Sequence, residues 1–210
     1  MTAQAPLVQV IDDDDAVRSA LRLLFKSVSL PVSTWASAQE FLAQFRDEVP
    51  GCIVADVRMP GMSGLELQQA LNLRGAITPI LFITGHGDVA MAVDAMRHGA
   101  YDFLTKPVRD QDLIDRVQGA LLKDAAHRRS MVHAHEVRER LATLTPRERE
   151  VFALVTRGLA NKVMAGELSV SQRTVEIHRA RVMEKMQADS LAQLVRMSLQ
   201  LADSTAPLAD

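Results

Sequence analysis

The sequence predicts an α/β domain built on a five-stranded parallel sheet, followed by an all-α domain of four helices. Three observations carry that prediction. Five short β-rich runs alternate with stretches of helical period up to about residue 122. From Leu144 onward only helical spacing is found. Charge divides the same way: the 210 residues carry a net −2, made of −5 over residues 1–122, +2 over 123–143, +3 over 144–202 and −2 over 203–210.

Strands are expected at Leu7–Ile11, Val32–Trp35, Cys52–Ala55, Ile80–Ile83 and Tyr101–Leu104. The helices between them place apolar residues three or four apart: Val17, Leu21, Leu24, Phe25 and Val28; Phe41, Leu42 and Phe45; Leu65, Leu67 and Leu71; Val89, Val93 and Met96. Ser37 with Glu40, and Ser63 with Glu66, are spaced for capping boxes. Gly75 and Gly99 fit helix stops. Apolar strands joined through helices form a parallel sheet covered on both faces.

Residues 110–143 hold no proline and read as one helix prolonged into a charged linker, 123–143. The linker's Met131, Val137 and Leu141 form a thin apolar stripe that either pairs with another helix or is solvated. Thr145 before Pro146, with Glu148 third in the helix, starts the next element. Helices then follow over Asn161–Leu168, over Gln172–Met186 with Ser171 as its N-cap, and around Leu191, Leu194 and Val195. The domains are accordingly 1–122, the linker 123–143, 144–202 and a flexible tail, 203–210.

Composition narrows the function. With 48% apolar and 24% charged residues the chain is globular. No apolar run approaches the roughly 20 residues that cross a membrane, and the start, MTAQAPLVQVIDDDD, has no basic leader region. Cys52 is the only cysteine, which excludes an internal disulfide and a cysteine-rich zinc site. A cytoplasmic location is expected.

In parallel sheets, sites gather at the carboxyl ends of strands. Asp12 to Asp15 follow the first strand, Asp56 the third, Thr84 closes the fourth and Lys106 follows the fifth. Carboxylates brought together repel unless a cation joins them, and hard oxygen ligands suit Mg²⁺. A carboxylate beside Mg²⁺ can attack a phosphoryl group, and a lysine can neutralise the transferred charge. Asp56 is the candidate acceptor, Asp12 and Asp13 the metal site, Lys106 the counter-charge, and Thr84 the hydrogen-bond donor to the new phosphoryl oxygens. The added dianion would draw Thr84 and its loop inward.

The helix over Gln172–Met186 buries Val175, Val182 and Met186 and turns Arg173, Ile177, Ala180 and Glu184 the other way, flanked by Thr174, Glu176 and Arg181. Such a helix can enter a major groove. Arg173 and Arg181 would reach guanine edges or phosphates, Glu176 a cytosine amine, and Ile177 a thymine methyl. Arg179 lies nearer the core and would snorkel out to a phosphate.

The motifs Val10-Ile11-Asp12-Asp13, Asp56-Val57-Arg58-Met59-Pro60-Gly61, Ile83-Thr84-Gly85-His86-Gly87-Asp88 and Phe103-Leu104-Thr105-Lys106-Pro107 resemble the receiver domain of bacterial two-component response regulators over residues 5–125. Leu144 to Val151, Gly158 to Lys162, Ser171 to Val175, His178 and Lys185-Met186 resemble the LuxR/NarL-type helix-turn-helix domain over residues 141–202. The whole chain resembles the FixJ-type regulators. That resemblance implies a flavodoxin-like receiver whose Asp56 takes phosphate from a phosphohistidine on a sensor histidine kinase. It implies Mg²⁺ on Asp13, Asp56 and the Arg58 backbone carbonyl, with Asp12 acting through water. It also implies a cis peptide between Lys106 and Pro107 and a switch role for Phe103. The partners it implies are double-stranded operator DNA, RNA polymerase and, on activation, a second copy of the chain.

Phe103 has no hydroxyl, so only apolar packing could drive its inward turn, and it equally fits an ordinary strand core. His86 fits a solvated turn as well as a contact. Ala180 replaces a longer polar residue of some relatives. The expected function is a phosphorylation-dependent DNA-binding transcriptional regulator, not an enzyme. Two alternatives stand beside it. An aspartyl-phosphate phosphatase would use Asp12 and Asp14 on small phosphate esters. A phosphate-accepting interaction module would show no salt-dependent DNA binding.

Overall fold

Strands with apolar side chains on both faces must be covered on both faces, and the chain does this by alternation. The computed structural model describes residues 5–85 and 89–203. In order come β1 (Leu7–Ile11), α1 (Asp15–Ser27), β2 (Val32–Trp35), α2 (Ala38–Gln44), β3 (Gly51–Ala55), α3 (Gly64–Leu73), β4 (Ile80–Thr84), α4 (Val89–Arg97), β5 (Asp102–Thr105) and α5 (Asp110–Ala142). All strand pairs are parallel and the order is β2-β1-β3-β4-β5. This is the flavodoxin-like order, whose direction of winding reverses between β1 and β3.

Successive strand residues feed two cores. Ile11, Ile53 and Phe82 pack with Phe41 of α2 and Leu67 and Leu71 of α3. Val8, Val10, Val54 and Leu81 pack with Phe25 of α1 and Leu113 and Val117 of α5. Burying each of these side chains contributes about 1.5–3 kcal/mol. β3 and β4 are buried along their whole length, which is why their sequences show no polar alternation. β5 is half-buried and begins at Asp102, one residue after the sequence expectation.

The Ser63–Glu66 capping box of α3 forms completely. At α2 only half of the expected box forms. Ser37 Oγ accepts from the Glu40 amide at 3.2 Å, but the Glu40 carboxylate reaches past Ser37 to the Ala36 amide at 3.3 Å.

The chain divides into two compact units between Arg128 and Arg129. In the second, α6 (Pro146–Thr156), α7 (Asn161–Glu167), α8 (Gln172–Met186) and α9 (Leu191–Asp203) follow the end of α5. Their core contains Val151, Val155, Met164, Val175, Val182, Met186, Leu194 and Met197. Val137 and Leu141 of α5 join that core, whereas Met131 is exposed. The linker stripe is therefore a packed face for its last two members. α9 runs to Asp203, the first residue of the expected tail. Residues 204–210 of that tail, and His86 in the loop before α4, lie outside the described residues.

Candidate functional site

Register places the site. Ile11 pairs with Ala55 across β1 and β3, so the next residue of each strand, Asp12 and Asp56, leaves the sheet at the same level. The Asp56 amide donates to the Ile11 carbonyl at 2.8 Å, extending the ladder by one bond. Both carboxylates are buried, with Asp12 4% and Asp56 8% exposed. Gly64 at the start of α3 allows this close packing, because a Cβ there would stand 2.4 Å from the Asp56 carbonyl oxygen.

Lys106 joins the two carboxylates. Its Nζ donates to Asp12 Oδ2 at 2.9 Å and to Asp56 Oδ1 at 3.1 Å. Its backbone amide donates to the Thr84 carbonyl at 2.8 Å, which fixes the lysine beside the end of β4. The peptide between Lys106 and Pro107 is cis. Asp56 Oδ2 accepts from the Arg58 amide at 2.6 Å, and Asp12 Oδ1 from the Asp14 amide at 2.9 Å. Arg18 of α1 donates to the Asp12 carbonyl at 2.6 Å.

Burial pushes the Asp56 carboxyl above its ordinary range; the Lys106 ammonium and the Arg58 amide pull it back in part, and Asp12 adds to the rise. Burial opposes the charge on Lys106, yet its bonds to Asp12 and Asp56 outweigh burial and hold the ammonium above its ordinary value. The charge pattern is two carboxylates on one lysine, a pocket left net negative.

Asp12, Asp56, Thr84 and Lys106 thus converge as the sequence predicts. Asp13 is exposed beside them. The donor set, three carboxylates and the Arg58 carbonyl, is of hard oxygens and fits a magnesium ion. Among the described residues no three such side chains are already gathered to hold an ion, so Asp13 would have to turn inward. Phe103 is half-buried, 6.2 Å from the Phe82 ring, and packs against the core of β1, β3 and β4.

On α8, Arg173, Glu176, Ile177, Ala180 and Arg181 are exposed and Val175, Val182 and Met186 are buried. Ile177 leaves 47% of its surface in water. The Thr174 hydroxyl lies 2.8 Å from Ser171 Oγ, inside the N-cap, so it is turned to the helix start. Arg179 differs from Arg173 and Arg181: it is half-buried and donates to Asn161 Oδ1 of α7. Eighteen residues separate the pair and no periodicity links them, so spacing carries no sign of that bond. Arg18 was equally silent, being one more polar residue on an amphipathic helix.

The profile of the response regulator receiver domain matches residues 8–118, and that of bacterial regulatory proteins of the luxR family matches residues 142–198. The chain belongs to the response regulators. Among its relatives, the transcriptional regulatory protein FixJ of Azorhizobium caulinodans is 50% identical over 91% of either chain. The response regulator protein TodT of Pseudomonas putida is 41% identical over 97% of this chain and 90% of its own. The solved structure of the response regulator StyR superposes with a TM-score of 0.80 at 43% identity, covering 93% of this chain and 99% of that one. Full-length FixJ of B. japonicum gives 0.58 at 41% identity, covering 96% and 99%. A response regulator with a luxR-family module works in transcription, its receiver implies a histidine kinase, and its luxR-family module implies DNA. Receiver domains generally bind Mg²⁺ at the phosphorylation site. Among the described residues no helix is long and apolar enough to cross a membrane.

Proposed function

We propose that phosphorylation of Asp56 gates the binding of α8 to operator DNA. The observation that carries this reading is the Lys106 ammonium shared by Asp12 and Asp56 at the reversal point of the sheet. A carboxylate oxygen of Asp56 attacks the phosphorus of a phosphohistidine on the sensor kinase. The phosphorus–nitrogen bond breaks, and the imidazole leaves with its electron pair. Lys106 then pairs with the phosphoryl oxygens, and Thr84 donates to them. Asp12, Asp13, Asp56 and the Arg58 carbonyl would hold Mg²⁺, whose charge lowers the repulsion between acceptor and phosphoryl group. The inward turn of Thr84 is accompanied by repacking of Phe103, which has no hydroxyl and moves by apolar contact alone.

Residues 1–122 act as the receiver, 123–143 as the linker and 144–202 as the DNA-binding domain. Arg173, Glu176, Ile177, Ala180 and Arg181 supply the groove-facing surface, with Thr174 at its edge. Phosphorylation promotes dimerisation on paired half-sites, where the bound protein meets RNA polymerase. The protein works in the cytoplasm as a switch rather than an enzyme.

The test is duplex binding by wild type and Asp56→Ala, with Mg²⁺ and a small phosphodonor, over a range of salt. Affinity that rises with phosphodonor in wild type alone is the expected result. Equal binding by the two proteins removes Asp56 as the switch, and no binding at low salt removes the DNA reading.

A further inference from the structure

We infer that Arg179 is a positioning residue that locks the recognition helix α8 onto α7 through Asn161, and that it does not contact DNA phosphate. The inference rests on the reading of α8 as the DNA helix. Three arginines lie on α8. Arg173 and Arg181 are exposed and have no ion-pair partner among the described residues. Arg179 alone is half-buried, and its Nη1 donates to Asn161 Oδ1.

Asn161 is well placed to be such an anchor. It is the first residue of α7, one past the N-cap position at which an Asn side chain caps its own helix. Here the N-cap is Ala160, with no side-chain bond to the helix, and the Asn161 side chain instead accepts from the neighbouring helix. A guanidinium spent on a half-buried amide oxygen is fixed in direction, and so is the helix that carries it. At the other end of α7, Arg147 of α6 donates to the Leu168 carbonyl. α7 is therefore tied at its first residue to α8 and just beyond its last to α6. Between α7 and α8 the chain turns through Ser169, in the left-handed region at φ +54°. That turn does not by itself fix the angle between α7 and α8, whereas the Arg179–Asn161 bond ties the two helices directly.

A phosphate contact and a positioning bond have different signatures. Each phosphate neutralised contributes about 0.9 to the slope of log affinity against log salt. Loss of a contact makes the slope shallower; loss of a positioning bond lowers affinity at every salt and leaves the slope parallel.

The experiment uses the full chain with phosphodonor and a duplex selected by the wild-type protein from a random library. Arg179→Met is expected to weaken binding about tenfold with an unchanged slope. Asn161→Leu, which removes no charge, is expected to do the same, and the double variant to bind no more weakly than the worse single one. Arg181→Met serves as the contact control, with a slope shallower by about 0.9. A shallower slope for Arg179→Met, unchanged affinity, or additive losses in the double variant would each overturn the inference. Should Arg179→Met fail to fold, Arg179→Gln takes its place in the cycle. Should wild type bind no duplex at low salt, the DNA reading fails, and the lock is then judged by whether the two substitutions are non-additive in thermal unfolding.

Discussion

Glu148 offers a quantitative test of how the second unit is held. Its carboxylate is 2% exposed, and Oε2 accepts from Lys185 Nζ at 2.7 Å and from the Thr145 amide at 2.8 Å. A buried charge-assisted bond contributes about 1.5–3 kcal/mol, and the capping bond about 0.5–1.5 kcal/mol. Glu148→Ala removes both, so a loss of about 3 kcal/mol is expected. A unit spanning residues 129–210 shifts by about 4–8 °C per kcal/mol, which puts its midpoint about 12–24 °C lower. The Lys185 ammonium, then the Thr145 amide, hold the carboxyl down to about 2 from 4.5. Because the folded value lies below the unfolded one, this contribution is present above pH 4.5 and is lost as pH falls towards 2. Glu148→Gln keeps the shape and abolishes that acid step. Lys185→Met leaves the carboxylate buried with Thr145 alone as its partner, and pairing it with Glu148→Gln should cost less than the sum of the two. Scanning calorimetry of the full chain from pH 7 to pH 2 reads all of this. A midpoint shift under about 4 °C for Glu148→Ala, or an acid step that persists in Glu148→Gln, refutes the reasoning.

Arg128→Met should destabilise the first unit by about 3–5 kcal/mol, seen as a lower urea midpoint, because it leaves the 2%-exposed Asp124 carboxylate with only the Gly51 amide. Asp124→Asn should cost less, and the reverse ranking would show that the charge is not what matters. Gly64→Ala should slow phosphodonor-dependent mass gain and lower stability, since its Cβ would press on the Asp56 carbonyl; an unimpaired variant would mean that α3 shifts freely. Cys52 should resist thiol reagents in the native protein, since burial, then the Asp124 charge, push its thiol far up. Rapid labelling without unfolding would contradict that burial.

Much of this was legible because sheet chemistry is local. The residue after a strand leaves at the sheet's carboxyl end whatever the rest of the chain does, so Asp12, Asp56 and Lys106 could be gathered from spacing alone. The complete box of Ser63 and Glu66 and the cap at Thr145 are equally local, formed by residues three apart. What escaped is long-range or one bond deep. Spacing could not say that Asp12 would be buried on Lys106 while Asp13 faces water. Nor could it say that the Glu40 carboxylate would pass over Ser37. The bonds of Arg128 to Thr78, and of Arg179 to Asn161, join residues whose composition marks them only as polar surface. The start of α8 was legible from its serine cap, whereas the turn that ends it, at Gln187 in the left-handed region at φ +52°, carries no such signal.

The pairing of Ile11 with Ala55 has a further consequence for damaged or mistranslated copies. A strand that slips by one residue carries every side chain to the opposite face. In this sheet such a slip would exchange residues between the two cores, upsetting the packing of both, and would drag Asp12 or Asp56 away from Lys106 in the same event. A misassembled copy therefore loses its packing and its acidic pocket together.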